Sequence, residues 1–474
     1  MQDKYTTGPT ECQGPYELDE WGRVTRKVDK DELPLTDIAP SGKARPWRKH
    51  HREGLLLSEV YVALGECCTD GAAKYLDKAR RLESCAQSAE FWRLPSGELR
   101  LHRSSFCRVR LCPMCQWRRS IKLGAQVRQV VQAANAQHIA ETGAAWRWVM
   151  VTYTVRNVDG PDLAAAIDTI HKGLNNMAKC KRWKGAVRGW LRATEVTHNT
   201  DTGSASYDTY HPHMHILLCV PAGYMSGKGY IRQAEWAALW QHYIKADYTP
   251  IVDVRTIKPE GGSRLADLPA GEQAAAMGKA CAEVSKYAAK PADYIVPGDI
   301  GLSMSAVQTL DRMLDRRRMT AWGGILKDIA KALQLDDPET GDLVHIDDTA
   351  SPDPVAEDIA QYVTYTWAVG VRDYYLTGKR EGMTPAAERA AERADRAKLM
   401  QHRTQQQQAD YTVDSWTVSA YKDAYSWDKG MQRKAIDDLR HMPRKQIDAR
   451  LSELLGPLPD NWEDDSNGKE TPKG

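Results

Sequence analysis

Three histidines at alternate positions, His211, His213 and His215, open the run HPHMHILLCV, which turns wholly apolar after the third. Alternation is the period of a β-strand, whose successive side chains point to opposite faces, so a strand over 211–220 lines all three imidazoles along one surface. The apolar second half needs cover on both faces, which places this strand at the centre of its sheet. Same-face imidazoles on a rigid strand form half of a divalent-metal site, because neutral imidazole is the commonest metal ligand. A solvated or hydrogen-bonded histidine ladder is the plain alternative.

The flanking segments supply the rest of the sheet. WRWVMVTYTV (146–155) and PIVDVRTI read as strands, LAAAIDTIHKGLNNMAKCK and IRQAEWAALWQHYI as helices. GWLRATEVTH reads as a strand joined to the histidine strand by a hairpin through NTDTGSASYDTY, so Glu195 stands on the neighbouring strand as a possible oxygen ligand. With a helix over 272–290, the order strand, helix, strand, strand, helix, strand, helix predicts an α+β fold, an antiparallel sheet covered by helices on one face.

Five segments are expected along the 474 residues. Residues 1–80, rich in charge, Pro and Gly with a basic knot around Trp47, predict a flexible arm or small appendage. A cysteine-rich basic module with a helix follows over 81–135, then the sheet domain over 140–300 and a helical extension over 301–350. A helical C-terminal region over 351–474 ends in a disordered polar tail.

The helical spacing of 272–290 puts Glu283, Lys286, Tyr287 and Lys290 at i, i+3, i+4 and i+7, a carboxylate, a phenol and two ammonium groups on one face. A tyrosine oxygen can attack a phosphodiester where cations stabilise the developing charge and a carboxylate takes a proton. A tyrosine packed in the core beside a solvated Glu–Lys pair is the bland reading of the same spacing.

Ten cysteines in so long a chain are too sparse for a secreted disulfide scaffold, and clustered thiols in a reducing compartment suggest metal. Cys107, Cys112 and Cys115 have loop spacing that lets thiolates converge on a structural zinc ion, with Cys85 or His102 as fourth ligand; independent buried thiols are the alternative. The start, MQDKYTTGPTEC, lacks the apolar core of a signal peptide, and no run approaches a membrane span, so a cytoplasmic protein is expected. A net charge of +2 excludes a globally basic nucleic-acid binder and leaves only local patches. Arg108, Arg110, Arg118 and Arg119 crowd the cysteine module, and Lys181, Arg182 and Lys184 form a second patch. They suit phosphate contacts, with Trp117, Trp183 and Trp190 available to stack on bases, or else they are solvated surface.

Taken together, FCRVRLCPMCQWRRS, VMVTYTVRN, YHPHMHILLCV and EVSKYAAKPADY, in this order, resemble the motifs of rolling-circle plasmid replication initiators in the HUH endonuclease superfamily. WGGILKDIAKALQLDDPETGDLV is also similar, so the resemblance covers roughly residues 85–350. It implies an HUH fold, with a central antiparallel sheet of the RRM or ferredoxin-like kind flanked by helices. It also implies a Mn2+ or Mg2+ ion held by His213 and His215 with Glu195 and His211, and a structural Zn2+ on Cys85, Cys107, Cys112 and Cys115. Tyr287 corresponds to the nucleophile and Glu283 to the carboxylate that closes the cycle; Lys286 and Lys290, on the same helical face, are candidate DNA contacts. Implied partners are single-stranded or hairpin plasmid origin DNA and a host helicase and polymerase, with no membrane. With Glu283 to activate water or a new 3′ end a single tyrosine suffices, and Pro291, which ends the helix before Tyr294, argues against a second nucleophile there. A mobilisation relaxase or single-strand transposase shares the chemistry, and a zinc-dependent DNA-binding repressor would lack it.

Overall fold

The computed structural model describes residues 16–18, 24–26, 34–39, 42–67, 71–257, 281, 283–285, 288–346 and 361–381, with three more, 393, 394 and 397, near the C-terminus. The chain divides into two units, residues 1–382 and 383–474. In the first, a hairpin of β1 (Tyr16–Leu18) and β2 (Val24–Arg26) precedes helices α1 (Trp47–Cys67) and α2 (Ala72–Glu83). Then come β3 (Ser88–Arg93), β4 (Leu99–Ser104) and the long α3 (Pro113–Thr142). The main sheet is built from β5 (Arg147–Thr154), β6 (Gly189–His198), β7 (Tyr210–Val220), β8 (Val252–Thr256) and β9 (Thr320–Gly324). Between these strands run α4 (Leu163–Met177), α5 (Lys181–Ala186), α6 (Gln233–Ile244) and α7 (Ile300–Leu314), and β9 leads directly into α8 (Ile325–Ala332). A final hairpin pairs β10 (Gln361–Ala368) with β11 (Asp373–Glu381).

The five strands lie in the order β8-β5-β7-β6-β9, all neighbours antiparallel, with the histidine strand β7 in the middle as its apolar half requires. Helices cover both faces, not one. Val149, Val151, Met214, Ile216 and Leu218 pack under α4 and α6 through Ile170, Leu174, Trp236 and Trp240. On the other face Trp148, Met150, Leu191, Leu217 and Cys219 pack under α3 and α8 through Val127, Val130 and Leu326, together with Cys281 and Val284. The histidine positions continue this second face beyond the end of its apolar cover.

Three expectations for the flanking regions are overturned. Within the first 80 residues, α1 is a core helix. Leu57, Val60, Tyr61 and Leu64 recur at helical spacing, and each is buried. Trp47, read as part of a basic knot, is 2% exposed, donates to Asp37 and packs edge-on against Phe91 and Trp117. The stretch read as one helix through TAWGG breaks into α7, β9 and α8, because Gly323 and Gly324 permit a strand that docks flat on β6. Residues 361–381, expected to be helical, form a hairpin that completes a second sheet, β11-β10-β3-β4. Their alternation is plain in QYVTYTWA, whose Tyr362, Val363, Tyr365 and Trp367 are buried. Apart from 393, 394 and 397, the expected helices and tail beyond 382 lie outside the described residues.

Gly324 has φ +58°, and a Cβ there would stand 2.2 Å from the Arg188 carbonyl oxygen. Gly324→Ala is expected to cost about 3 kcal/mol by combining the strain of a positive-φ conformation that is essentially glycine's alone with a backbone clash. A urea unfolding midpoint unchanged from wild type would show that the β9–α8 junction tolerates a side chain.

Candidate metal centre and cysteine module

The β6–β7 register sets Glu195 directly opposite His213 and Ala193 opposite His215, and β5 sets Thr152 opposite His215 from the other side. As a result one ligand atom from each of Glu195, His213 and His215 falls within 4.8 Å of the others. His213 Nε2 lies 3.5 Å and His215 Nε2 3.4 Å from the same oxygen, Glu195 Oε2. His213 Nδ1 faces the backbone oxygen of His211 at 3.1 Å. A carbonyl can only accept, so Nδ1 carries the proton and Nε2 turns its lone pair to the carboxylate. His215 Nδ1 is braced by the Thr152 hydroxyl at 3.1 Å, while its Nε2 is buried and makes no hydrogen bond. Two imidazole lone pairs and a buried carboxylate oxygen around one point form a donor set that fits a divalent ion with open coordination positions.

Burial would raise the Glu195 carboxyl pKa, but the His213 and His215 rings and the Lys290 ammonium beside it outweigh burial and hold the group well below the usual carboxylate range. Lys290 Nζ reaches Glu195 Oε1 at 2.5 Å. That lysine is itself held in place. Its backbone N–H donates to Asp293 Oδ2, and Asp293 Oδ1 accepts from the His198 backbone N–H at the end of β6. Glu283 Oε1 stands 3.6 Å from His215 Nε2 and is 37% exposed, so a second carboxylate flanks the centre from the solvent side.

His211 is a correction. Its ring stacks on His213 at 5.3 Å, but it does not join the cluster of ligand atoms, because two residues of strand carry it past the carboxylate. Burial lowers its pKa. Lys286 and Tyr287 lie outside the described residues.

The four expected cysteines also converge. Sγ–Sγ separations are 3.6 Å for Cys85–Cys112, 3.7 Å for Cys85–Cys115 and 3.7 Å for Cys107–Cys115. A tetrahedron with Zn–S bonds of about 2.3 Å has edges of about 3.8 Å, so the four sulfurs already have the spacing of a closed zinc site. The backbone N–H groups of Cys107, Arg108 and Cys115 donate to Cys85, Cys115 and Cys112 sulfurs, with Arg108 at φ +57° to aim its own. His102 is elsewhere, packed on Trp92.

The cations around this module largely do structural duty, which corrects their reading as a DNA-contacting patch. Arg118 is 4% exposed and donates to the Leu343 and Val344 carbonyls. Arg110 pairs with Glu339 at 2.8 Å, and Arg119 donates to the Glu339 backbone oxygen. Glu339 in turn accepts from the backbone of Met319 and Thr320, tying the 336–344 loop to the first residue of β9. Arg108 remains exposed, with one bond to the Thr340 carbonyl. In the second patch Arg182 is locked in a two-pronged pair with Glu235, while Lys181 and Lys184 are exposed. Trp117 and Trp183 are buried and cannot stack on bases; Trp190 is partly buried against Gly323. Thr152, Asp293 and Glu339 escape sequence reasoning, since each acts on a residue brought beside it only by strand register or loop closure.

Residues 98–375 match the protein family described as Replication protein. The chain belongs to this family. A Bacillus amyloliquefaciens relative named Protein rep is 39% identical over 73% of this chain and 98% of its own length. Protein rep of Streptococcus pneumoniae is 34% identical over 68% of this chain and 90% of its own, and a Staphylococcus aureus Replication protein is 34% identical over 48% and 90%. No solved structure matches the chain. Among the described residues, no helix is long and apolar enough to cross a membrane.

Arg118→Ala is expected to cost about 2–3 kcal/mol of stability and to speed proteolysis in the 336–344 loop, because it strands buried carbonyls. Unchanged stability with weakened DNA binding would return Arg118 to the DNA-contacting set.

Proposed function

We propose that this replication protein initiates rolling-circle replication of a plasmid in the bacterial cytoplasm by nicking one strand of origin DNA, on an HUH endonuclease fold. The observation that carries the reading is the convergence of Glu195, His213 and His215 on adjacent strands beside Glu283 and Lys290. Family membership supports the biology. The site chemistry supports the reaction, since a Mn2+ or Mg2+ ion on Glu195, His213 and His215 would supply Lewis-acid polarisation of a phosphodiester.

The chain's own groups do the rest. The phenol oxygen of Tyr287 attacks the phosphorus and gives up its proton; the bond from phosphorus to the 3′ oxygen breaks, and that oxygen leaves with the electron pair and takes up a proton. The products are a 5′-phosphotyrosine ester, which conserves the energy of the bond broken, and a free 3′ hydroxyl for a host polymerase to extend after a helicase opens the duplex. Lys290 keeps Glu195 charged and contributes positive charge beside the attacked group, with Lys286 on the same helical period as Tyr287. With Tyr287 occupied, Glu283 takes the proton from the water or new 3′ end that closes the cycle. The absence of GxxxxGK[ST] agrees with a transesterification that consumes no nucleotide triphosphate. The sulfurs of Cys85, Cys107, Cys112 and Cys115 would hold a structural Zn2+ ion that folds the module.

Labelled single-stranded or hairpin origin oligonucleotides incubated with the protein and manganese should give a covalent adduct that survives denaturing gels. Tyr287→Phe is expected to leave no detectable adduct, and His213→Ala or a chelator to remove the metal-dependent reaction. An adduct formed in full by Tyr287→Phe places the nucleophile elsewhere. Glu283→Ala should leave the first nick within about threefold of wild type and slow release by roughly 100-fold, the typical scale of a lost general base. A variant slow only in the first nick overturns the closing role.

A further inference from the structure

A groove of about 480 Å³ lies between α2, the cysteine loop at 108–110, and the 315–318 turn that leads from α7 into β9. Eight Lys and Arg line it against four Asp and Glu, in a chain whose net charge is only +2. The inner cations are consumed by local pairs, such as Arg317 with Asp168 and Lys78 with Asp311. The rim is different. Arg316 is 94% and Arg318 70% exposed, Arg81 is 46% exposed, and Arg108 opens to solvent beside them. Each guanidinium has five donors, and those four use only one or two on protein acceptors.

The groove continues towards the metal centre. It shares Arg110, Arg119 and Glu339 with a smaller pocket whose wall includes Ala193 and Ser285, each two residues from Glu195 and Glu283 respectively. Among the described residues, no Trp, Tyr, Phe or His lines the groove. Unpaired strands are gripped through aromatic stacking platforms, whereas a duplex offers its phosphates to arginine forks without needing its bases.

We infer that this groove binds the phosphate backbone of a paired DNA segment flanking the scissile site, a duplex arm or hairpin stem. The inference rests on the origin-nicking reading above and names a surface for the paired DNA beside it. Exposed guanidiniums at 316 and 318, with no stacking group among the described lining residues, make the contact independent of base sequence.

The test measures affinity for a duplex and for a single-stranded oligonucleotide across a salt series, using the full chain. Each lost phosphate contact lowers the slope of log K against log salt by about 0.9 on duplex DNA. R316Q/R318Q should therefore reduce the duplex slope by roughly 2 and leave the single-strand slope unchanged. R81Q should lower it by about 1, which keeps the test open if the double variant folds poorly. K228Q/K245Q, which removes the same charge from exposed lysines outside the groove, should leave both slopes as in wild type. An unchanged duplex slope in R316Q/R318Q overturns the inference, as does an equal fall in the K228Q/K245Q control or a fall on single strands alone. Failure of wild-type protein to form the oligonucleotide adduct would instead overturn the nicking reading, so the two failures are separable.

Discussion

The antiparallel pairing of β6 with β7 is the constraint on which the rest of the site depends. In this register Glu195 meets His213, and the apolar half of β7 lies between two layers of helices. A slip of one residue would turn Leu217 and Cys219 out of one helical layer and Met214, Ile216 and Leu218 out of the other. It would also send Glu195 to the opposite face from the histidines. The stability of the core and the assembly of the candidate metal centre are therefore a single property. Glu195, His213 and His215 all stand on strands, so the packing that builds the sheet also positions these three ligands. Within that frame the charge balance is local. Glu195 is buried and anionic because two imidazoles and Lys290 surround it, and Lys290 is placed by a loop anchored through Asp293 to the end of the same strand.

The cysteine module acts on the same strand from a distance. Its sulfurs fix the loop from which Arg108 and Arg110 project, and the guanidiniums of α3 and this loop hold the 336–344 segment by its carbonyls and by Glu339. Glu339 then grips the backbone at the start of β9, which pairs with β6. Arginine suits this work because one planar fork can satisfy two carbonyl oxygens while the same guanidinium lies over aromatic rings, as Arg118 does beside Trp47 and Trp117. Arg110, Arg118 and Arg119, spent in this way, are unavailable to a nucleic acid. That shifts the free positive charge to the rim at Arg81, Arg108, Arg316 and Arg318, where side chains are exposed and their protein contacts few.

By itself the sequence determined the local elements and the chemistry of their residue types. Alternation placed the histidines on one strand face, the turn-rich stretch between GWLRATEVTH and HPHMHILLCV made those segments a hairpin, and cysteine spacing announced a thiol cluster. These features rest on period and loop length, which neighbouring residues dictate. Only the tertiary structure decided what each residue faces. Arg118 and Arg316 are the same side chain in equally basic stretches, yet one is sealed under a loop 225 residues onward and the other is in solvent. His211 and His213 share a face, yet only His213 meets the carboxylate, because the β6 register puts Glu195 opposite one and not the other. Trp47 looked like part of a charged arm until α1 found the second sheet, and TAWGG looked helical until β6 offered it an edge. The physical reason is common to all of these. Periodicity and propensity act within a few residues, whereas burial, pairing and register are set by partners far along the chain, and those contacts alone separate a structural arginine from one left in solvent.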